Sequence, residues 1–442
     1  MTVEVVPGNE TLDSVTCTEK LEMTMGKKAH NMHGALDAND IQSVIAMATL
    51  EDGLINSEIR SRVWPELIHI GPYLDEYLSQ IYERQTAEDK EIQYRDAEQI
   101  QKDVERSFIY FNKNNDTQET REIDGLKKRL YNLITNVLLA IPDLNYYQGY
   151  HDVASMVVIH FQDDFQAFQV LYVITLRFLR DHMMRDIQPT LSLLDLIPEL
   201  IHHVDSELHD VVTMVKPIYA LSSIITLFTH DITELHDISI IWDFILLRDD
   251  PRAPIYIYVA LLVYYKDDIF IDLNEMSDST IGDSQQFDTD IVHAVLSNFI
   301  ERHLHINSID SRLELRNILQ IADDIMKKTP LETLKHFKNI SSYSFLRNKS
   351  TSLAIVSLQV EQYEKVRMKQ ERKRLMQEKL EKTSLIRRKA FHAPLLLKMT
   401  VGVGILSILL HTTLKHPNRI GLSGDISRNL VSFWDSLLDH FK

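Results

Sequence analysis

Leucine, isoleucine and valine recur at helical spacing along most of the chain, with polar residues at the intervening positions. The first such stripe consists of Ile41, Val44, Ile45 and Ala48, and later stripes are separated by short polar joints. This spacing is typical of amphipathic helices, and only 12 Gly and 12 Pro interrupt the 442 residues. The pattern predicts an all-α fold with a folded domain over residues 38–346.

Two stretches depart from this periodicity. Residues 1–37 are polar and aperiodic, which predicts a disordered N-terminal segment. Residues 272–290 predict an acidic loop or insertion inside the domain. The acidic segment is similar to a calcium loop in composition, but its glycine falls at the wrong place for an EF-hand, so no calcium site is predicted.

A charged segment without glycine or proline predicts an exposed helical stalk over residues 350–390. The apolar residues 391–414 follow, and a helix of about 20 to 24 residues with a rise of about 1.5 Å per residue covers a hydrocarbon core of about 30 Å. We interpret this segment as a transmembrane helix; a buried core helix is the alternative. The basic cluster of Arg387, Arg388 and Lys389 predicts that the large N-terminal part stays cytoplasmic.

The tail, residues 415–442, contains a second amphipathic pattern with Trp434 on its apolar face. The other apolar residues of this face are Ile426, Leu430, Phe433, Leu437, Leu438 and Phe441. Such a helix lies flat in a membrane interface or packs on a partner, and the sequence leaves both possibilities open.

Composition and missing motifs narrow the function. The formal charge of -17 argues against a nucleic-acid partner, because phosphate binding needs a basic surface. The sequence contains no GxxxxGK[ST] loop, no nucleophile elbow and no HExxH or cysteine-rich spacing. Its single cysteine, Cys17, lies in the predicted disordered segment, and its first residues do not resemble a signal peptide. We therefore predict a protein of a reducing compartment without a metal site or a self-sufficient active site.

The segment AEQIQKDVERSFIYF combines an apolar stripe with an outward arginine. The stripe consists of Ile100, Val104 and Phe108, through which the segment is expected to pack. At about 100° per residue, Arg106 lies roughly 160° from the centre of this stripe. Asp103 precedes Arg106 by three residues, a spacing at which its carboxylate can pair with the guanidinium. A single exposed arginine is usually only a solvated residue, so this pattern needs a second signal.

The second signal lies in the stretch IPDLNYYQGYHDVASMVVI. On a helical wheel Tyr146 and Tyr150 share a face with the later valines, whereas Gln148 points roughly opposite. Gln148 is therefore predicted in the exposed first turn of a helix whose later turns belong to the core. Gly149 permits another group to approach the backbone closely.

The stretches IQKDVER and YYQG resemble the two signature motifs of the TBC-domain family of Rab GTPase-activating proteins. Arg60 and Trp64, in GLINSEIRSRVWPELI, resemble the opening R-x-x-x-W segment of that family. The stretches TLFTHD and IWDFILLRDDPRAPIYIYVALLVYY resemble its later helices. These pieces occur in the family's order over residues 53–265, about half of the chain.

The resemblance implies a two-part helical domain that completes the active site of a GTPase. Arg106 would neutralise the charge that develops during γ-phosphoryl transfer, Gln148 would orient the attacking water, and Asp103 would steer Arg106. The protein would then be an activator rather than an enzyme. It would have no cofactor of its own, because GTP and magnesium belong to the partner Rab.

The remaining motif residues would have supporting roles. Tyr146, Gly149 and Asp152 would shape the loop that carries the glutamine. Arg60 and Trp64 would hold the domain together.

The form NYYQGYHD, joined to a C-terminal hydrophobic segment, is similar to a subgroup of the family that is anchored in the endoplasmic reticulum and acts on the Rab of early secretory traffic. The resemblance implies a location on endoplasmic reticulum or early Golgi membranes, with the domain in the cytoplasm. Two alternatives remain at this stage. One is a membrane-anchored scaffold or tether that binds a Rab without accelerating hydrolysis, and the other is a structural protein of the reticulum.

Overall fold

The computed structural model describes residues 10–49, 53–87, 94–108, 117–277, 287–304 and 309–415, together with Ser432. Within these ranges every regular element is helical, so the prediction of an all-α fold is confirmed. The α-helices are α1 (Glu10–Asp37), α2 (Ile41–Ala48), α3 (Ser57–Leu67), α4 (Pro72–Ala87), α5 (Ala97–Glu105), α6 (Thr117–Ala140), α7 (Tyr150–His160), α8 (Asp164–Ile174), α9 (Gln188–Leu194), α10 (Leu196–His202), α11 (Ser206–Val212), α12 (Leu221–Ile225), α13 (Leu235–Leu247), α14 (Ala253–Tyr264), α15 (Lys266–Met276), α16 (Thr289–His303), α17 (Ile309–Lys328) and α18 (Leu353–Lys415).

Two compact units divide the chain, Met1–Glu361 and Gln362–Lys442. The first unit contains helices α1 to α17 and the first turns of α18. The predicted domain over residues 38–346 lies inside this unit, which extends beyond it at both ends.

Helix α14 forms the centre of the core in the first unit. Every residue from Ala253 to Leu262 is buried, so this helix is apolar on all sides, as expected for a core helix. Pro254 occupies its first turn, where the missing N–H costs no helical hydrogen bond. Helices α10, α12, α15 and α17 pack around it.

Helix α6 brings the two predicted site segments together. It packs against α5, α7 and α8, and α5 also contacts α7 directly. Leu130, Ile134, Val137 and Leu138 of α6 are buried and supply an apolar face. Because α5 leads to Arg106 and α7 follows Gln148, this packing determines that the two segments are neighbours.

The prediction of disorder over residues 1–37 is wrong for the part next to the domain. Helix α1 occupies most of this segment and packs against α2, with Met32 and Leu36 buried. Nζ of Lys28 donates a hydrogen bond to the carbonyl of Gly53 at 3.0 Å. Helix α1 has few apolar residues, so its sequence alone does not predict a packed helix. Its apolar residues are buried because α2 packs against them.

The first turns of the predicted stalk are also part of the core. Arg180 follows a π-helical segment, Thr175–Leu179, and its side chain is fully buried. Its Nε donates to Oε1 of Gln359 at 2.9 Å, and Nε2 of Gln359 donates to Oδ1 of Asp181 at 2.7 Å. Val356 is fully buried as well. The prediction of an exposed helix from residue 350 onward is therefore wrong for these turns, because a buried arginine requires their polar groups.

The acidic segment predicted as a loop over residues 272–290 is helical at both ends. Helix α15 extends to Met276 because Ile269 and Leu273 continue its buried face. Helix α16 begins at Thr289. Residues 278–286 lie outside the described residues.

Helix α18 continues to Lys415, so the predicted transmembrane segment, residues 391–414, is helical. Among the described residues no single helix is long and apolar enough to cross a membrane, although a pair bent by 100°, Ser206–Val212 with Pro217–Ile225, passes by length and composition. The membrane anchor is therefore not confirmed. The predicted amphipathic helix of the tail lies outside the described residues.

Candidate functional site

Arg106 is the first residue after α5 and presents its side chain to solvent. Ile100 and Val104 bury the inner face of the helix, which ends at Glu105. The sequence-based wheel extended this helix to Phe108, but Phe108 has a φ of 62°, which no helical residue adopts. The Arg106 side chain is 59% exposed, as its position opposite the stripe predicts.

The buried carboxylate of Asp103 binds the guanidinium of Arg106. Its carboxylate is completely buried and accepts hydrogen bonds from Nη2 of Arg106, from Nε2 of Gln99 at 3.1 Å and from the hydroxyl of Tyr146 at 2.8 Å. Burial raises the pKa of Asp103, but the hydrogen bonds from Gln99, Tyr146 and Arg106 outweigh it and keep this pKa below its ordinary value. The carboxylate is therefore ionised and fixed. Its complete burial was not predicted, because the wheel could not include the tyrosine that covers it.

Gln148 lies in an exposed turn before α7, whose first helical residue is Tyr150. The prediction that Gln148 belongs to the first turn of this helix is wrong, because Gly149 has a φ of 111° and interrupts the helical backbone. A Cβ on Gly149 would lie 3.0 Å from Cγ2 of Thr226, so the close approach that the glycine permits is made by the protein itself. The Gln148 side chain makes no hydrogen bond to another residue in the described part of the chain.

The turn that carries Gln148 is attached to the core on both sides. Both the backbone N–H and the side-chain amide of Asn145 donate to the carbonyl of Met183, at 2.8 and 3.0 Å. The hydroxyl of Tyr147 donates to the carbonyl of Ile225 at 2.6 Å. These bonds hold the turn while leaving the glutamine itself free to meet another molecule.

Asp152, predicted to shape this turn, lies in the first turn of α7 between two histidines. Its Oδ2 is 3.1 Å from Nδ1 of His230, and its Oδ1 is 3.3 Å from Nε2 of His151. The hydrogen bond with Asp152 raises the pKa of His230, whereas burial lowers the pKa of His151. Sequence reasoning missed both histidines. The sequence signal that could have identified them is their position in two stretches that resemble the family: His151 lies in NYYQGYHD and His230 lies in TLFTHD.

Arg60 and Trp64 form a separate, buried cluster around Asp243. Nε and Nη2 of Arg60 donate to the carboxylate of Asp243 at 2.9 to 3.1 Å, and Nε1 of Trp64 donates to it at 2.8 Å. The backbone N–H of Leu54 also donates to it at 2.8 Å. Asp243 was not singled out from the sequence, although an aspartate within the apolar run IIWDFILL is unusual. This cluster connects α3 to α13 and has no exposed polar group.

A hydrogen bond from Tyr146 to Asp103 connects the two segments that carry the exposed residues Arg106 and Gln148. Arg106 is bound to Asp103, and Gln148 follows Tyr146 by two positions in the same short turn. The result is an outward guanidinium and an outward carboxamide on one rigid support. Neither group is a nucleophile, and no group of three or more His, Cys, Asp or Glu side chains in the described ranges could hold a metal ion. The arrangement can stabilise negative charge and orient a water molecule on a partner.

Comparison with known proteins identifies relatives of this chain. TBC1 domain family member 20 of Homo sapiens is 32% identical over 250 residues, which cover 56% of this chain and 59% of that protein. GTPase-activating protein GYP8 of Saccharomyces cerevisiae is 26% identical over 344 residues, which cover 71% of this chain and 64% of that protein. The chain thus spans less than two thirds of the length of either relative.

A solved flagellar RabGAP TBC domain of Chlamydomonas covers 73% of this chain and 97% of its own, with a TM-score of 0.46 and 13% identity. The family model of the Rab-GTPase-TBC domain matches residues 57–270, a range that contains both exposed site residues and the buried cluster. Over these residues the chain matches the RabGAP-TBC family.

Proposed function

We propose that this protein is a GTPase-activating protein for a Rab-family small GTPase and that it supplies Arg106 and Gln148 to the partner's active site. The match to the RabGAP-TBC family supports the partner class. The observation that carries the mechanism is the 2.8 Å hydrogen bond from Tyr146 to Asp103, which couples the supports of the two side chains.

In this mechanism Arg106 neutralises charge on the phosphates as the γ-phosphoryl group is transferred. Catalysis of phosphoryl transfer depends mostly on positioning and electrostatic stabilisation, so a pre-oriented guanidinium is effective. Asp103 provides this orientation: it is buried, ionised and held by Gln99 and Tyr146. The side chain of Arg106 therefore loses little conformational freedom when the complex forms.

Gln148 orients the water that attacks the γ-phosphate. Its exposed position at the tip of an attached turn suits contact with another protein's nucleotide. The nucleotide and its magnesium belong to the partner in its GTP form, and this chain contributes side chains only.

We further propose that the target Rab acts in traffic from the endoplasmic reticulum to the Golgi, and that residues 391–414 anchor the protein in one of these membranes. The resemblance of NYYQGYHD to the anchored subgroup supports both statements, and the apolar character of the segment supports the second.

The test is single-turnover GTP hydrolysis by a panel of Rabs in the presence of the full-length chain. Arg106→Ala is expected to reduce the stimulated rate by about 10³ to 10⁵, equivalent to roughly 4 to 7 kcal/mol of barrier. The variant should remain folded, because Gln99 and Tyr146 still donate to Asp103. Arg84→Ala serves as the control, because Arg84 is an exposed arginine whose Nε is bonded within its own helix. If a folded Arg106→Ala protein retains near-normal activity, the mechanism is wrong.

The role of Gln148 is tested on the partner as well. A Rab whose own catalytic glutamine is replaced by alanine should still be activated by the wild-type chain, whereas Gln148→Ala should slow even a wild-type Rab. Gln80→Ala, an exposed glutamine on α4, is the matched control. If the Rab substitution abolishes activation while Gln148→Ala has no effect, the partner positions its own water. Binding of the Rab without any acceleration would instead identify a scaffold or tether.

A further inference from the structure

The polar contacts that support Arg106 continue past Tyr146 to a surface histidine. Nδ1 of His151 lies 3.4 Å from the hydroxyl oxygen of Tyr146, and Nε2 of the same ring lies 3.3 Å from Asp152. Asp152 in turn is 3.1 Å from Nδ1 of His230. A continuous chain of polar groups therefore runs from Arg106 to His230.

The number of protons on these polar groups limits which of them can donate a hydrogen bond. Tyr146 has one hydroxyl proton, which goes to the ionised carboxylate of Asp103 at 2.8 Å, so its oxygen offers a lone pair to His151. The contact with Tyr146 is favourable only when Nδ1 of His151 carries a proton. The carboxylate of Asp152 likewise accepts only, and it competes for a proton on Nε2 of the same ring.

A neutral His151 cannot satisfy both neighbours, because it has a single N–H. Burial lowers the pKa of His151, which favours this neutral form. His230 resolves the competition: its protonated ring satisfies Asp152 and thereby allows the proton of His151 to stay on Nδ1, facing Tyr146. The side chain of His230 is 63% exposed, so it contributes little to the core.

We propose that His151 and His230 are positioning residues for the site formed by Arg106 and Gln148. Charged His230 holds Asp152, so that His151 donates to Tyr146 and Tyr146 fixes Asp103, which binds Arg106. This inference rests on the proposed GTPase-activating function. It adds a requirement for one tautomer of a buried histidine and for one charged histidine at the surface.

The charges around His230 favour the protonated form of its ring. The hydrogen bond to Asp152 raises the pKa of His230, burial opposes this, and Asp231 and Glu301 add to the increase. His151 faces carboxylates from α7 and α5, which favour its charged form, and the cations Arg106 and His230, which disfavour it. These opposing charges leave burial as the leading effect on that ring.

Variants of His151 in the full-length chain test which ring nitrogen donates a hydrogen bond. An Asn side chain carries its amide where Nδ1 lies, whereas a Gln side chain carries it where Nε2 lies. His151→Asn should therefore keep most of the stimulated rate, while His151→Gln and His151→Leu should each lower kcat roughly tenfold with little change in KM, a smaller loss than the 10²-fold that a 1 Å misplacement can cause. If Asn and Gln variants with equal melting temperatures have equal kcat values, the proposal is wrong.

Nitrogen NMR of the histidine rings tests the same proposal without the Rab. In the wild-type chain the His151 signal should report a protonated Nδ1, and His230→Leu should shift the proton to Nε2 while the melting temperature stays unchanged. A wild-type His151 with its proton on Nε2 would overturn the proposal. Because this measurement uses no GTPase, it decides the tautomer of His151 and its dependence on His230 even if the chain activates no Rab.

The pH dependence gives an independent readout. The pH dependence of the Rab itself affects the wild-type rate and the His230→Leu rate equally, so it cancels in the ratio of the two rates. This ratio should be largest at low pH, where His230 is charged, and should fall toward one as the pH rises through the raised pKa of His230. A ratio that does not change with pH would contradict a role for the charged ring.

Discussion

At the scale of single residues, two glycines lie where the backbone conformation and a neighbouring side chain disfavour any larger residue. Gly53 has a φ of 54°, and a Cβ at this position would lie 2.3 Å from Oδ2 of Asp243. Gly149 has a φ of 111°, and its Cβ would lie 3.0 Å from Thr226. The first glycine allows Leu54 to reach the buried carboxylate, and the second starts α7 directly after Gln148.

Substitution of these glycines should therefore have different consequences. Gly53→Ala should lower the free energy of unfolding by at least about 2 kcal/mol, because the methyl group displaces the carboxylate that binds Arg60 and Trp64. Gly149→Ala should cost about 1 to 3 kcal/mol of stability and should also lower kcat, because it shifts the turn that carries Gln148.

Gly125 is the matched control, because it is exposed within α6 and a Cβ there would meet nothing within 4 Å. Gly125→Ala should raise stability by about 0.5 to 1 kcal/mol through helix propensity. Urea unfolding of the three variants measures these changes. Equal stability of Gly53→Ala and the wild-type chain would contradict the described packing around Asp243.

At the scale of elements, the start of α18 is a component of the first compact unit rather than a linker. Arg180 is fully buried and donates to Gln359 and to the carbonyls of Tyr343 and Ser350. Ser357 donates to the carboxylate of Asp143 at 2.5 Å, in the segment that leads to the Gln148 turn. The helix is thus connected to the site through its first turns.

Removal of one buried polar partner here should destabilise the whole unit. Gln359→Leu removes a hydrogen bond from Nε of Arg180 and one to Oδ1 of Asp181, which still accepts from the backbone N–H of Phe345. Loss of these buried hydrogen bonds should lower the free energy of unfolding by about 1 to 3 kcal/mol. Gln370→Leu, an exposed substitution on the same helix, should change stability by no more than about 0.5 kcal/mol. Thermal unfolding of both variants is the measurement, and equal melting temperatures would show that this contact is not required.

At the scale of the whole molecule, charge and apolar surface are unevenly distributed along the sequence. The chain has a formal charge of -17, yet the segment before the apolar residues 391–414 contains the cluster Arg387, Arg388 and Lys389. Basic clusters next to a transmembrane helix favour the cytoplasmic side, and basic clusters near a membrane are attracted to anionic lipids.

Removal of all residues after Ala390 should therefore release the protein from membranes while stimulated GTP hydrolysis in solution is unchanged. The apolar segment would provide the membrane affinity, whereas the site residues all precede Glu361, the end of the first compact unit. Sedimentation with membranes after a high-salt wash measures the first effect, and single-turnover hydrolysis measures the second. A truncated chain that still sediments with membranes would show that the anchor lies elsewhere.

The candidate site illustrates how much could be predicted from the sequence. The outward direction of Arg106 and its pairing with Asp103 followed from helical spacing alone, because both residues lie within one turn of the same segment. The end of α5, the turn that contains Gln148 and the burial of Asp103 did not follow. The burial of Asp103 depends on Tyr146, 43 residues away, and the turn that contains Gln148 depends on the positive φ of Gly149. The helix α5 ends before Phe108, which has a φ of 62°.

The sequence by itself determined the helical class, the motifs that resemble the family and the exposure of Arg106 and Gln148, because these are properties of local spacing and residue type. Only the tertiary structure decided which polar residues are buried partners. Asp243 binds Arg60 across 183 positions, and Gln359 binds Arg180 across 179. Periodicity contains no information about such pairs, since a buried polar group is stable only where folding brings a distant partner within hydrogen-bonding distance.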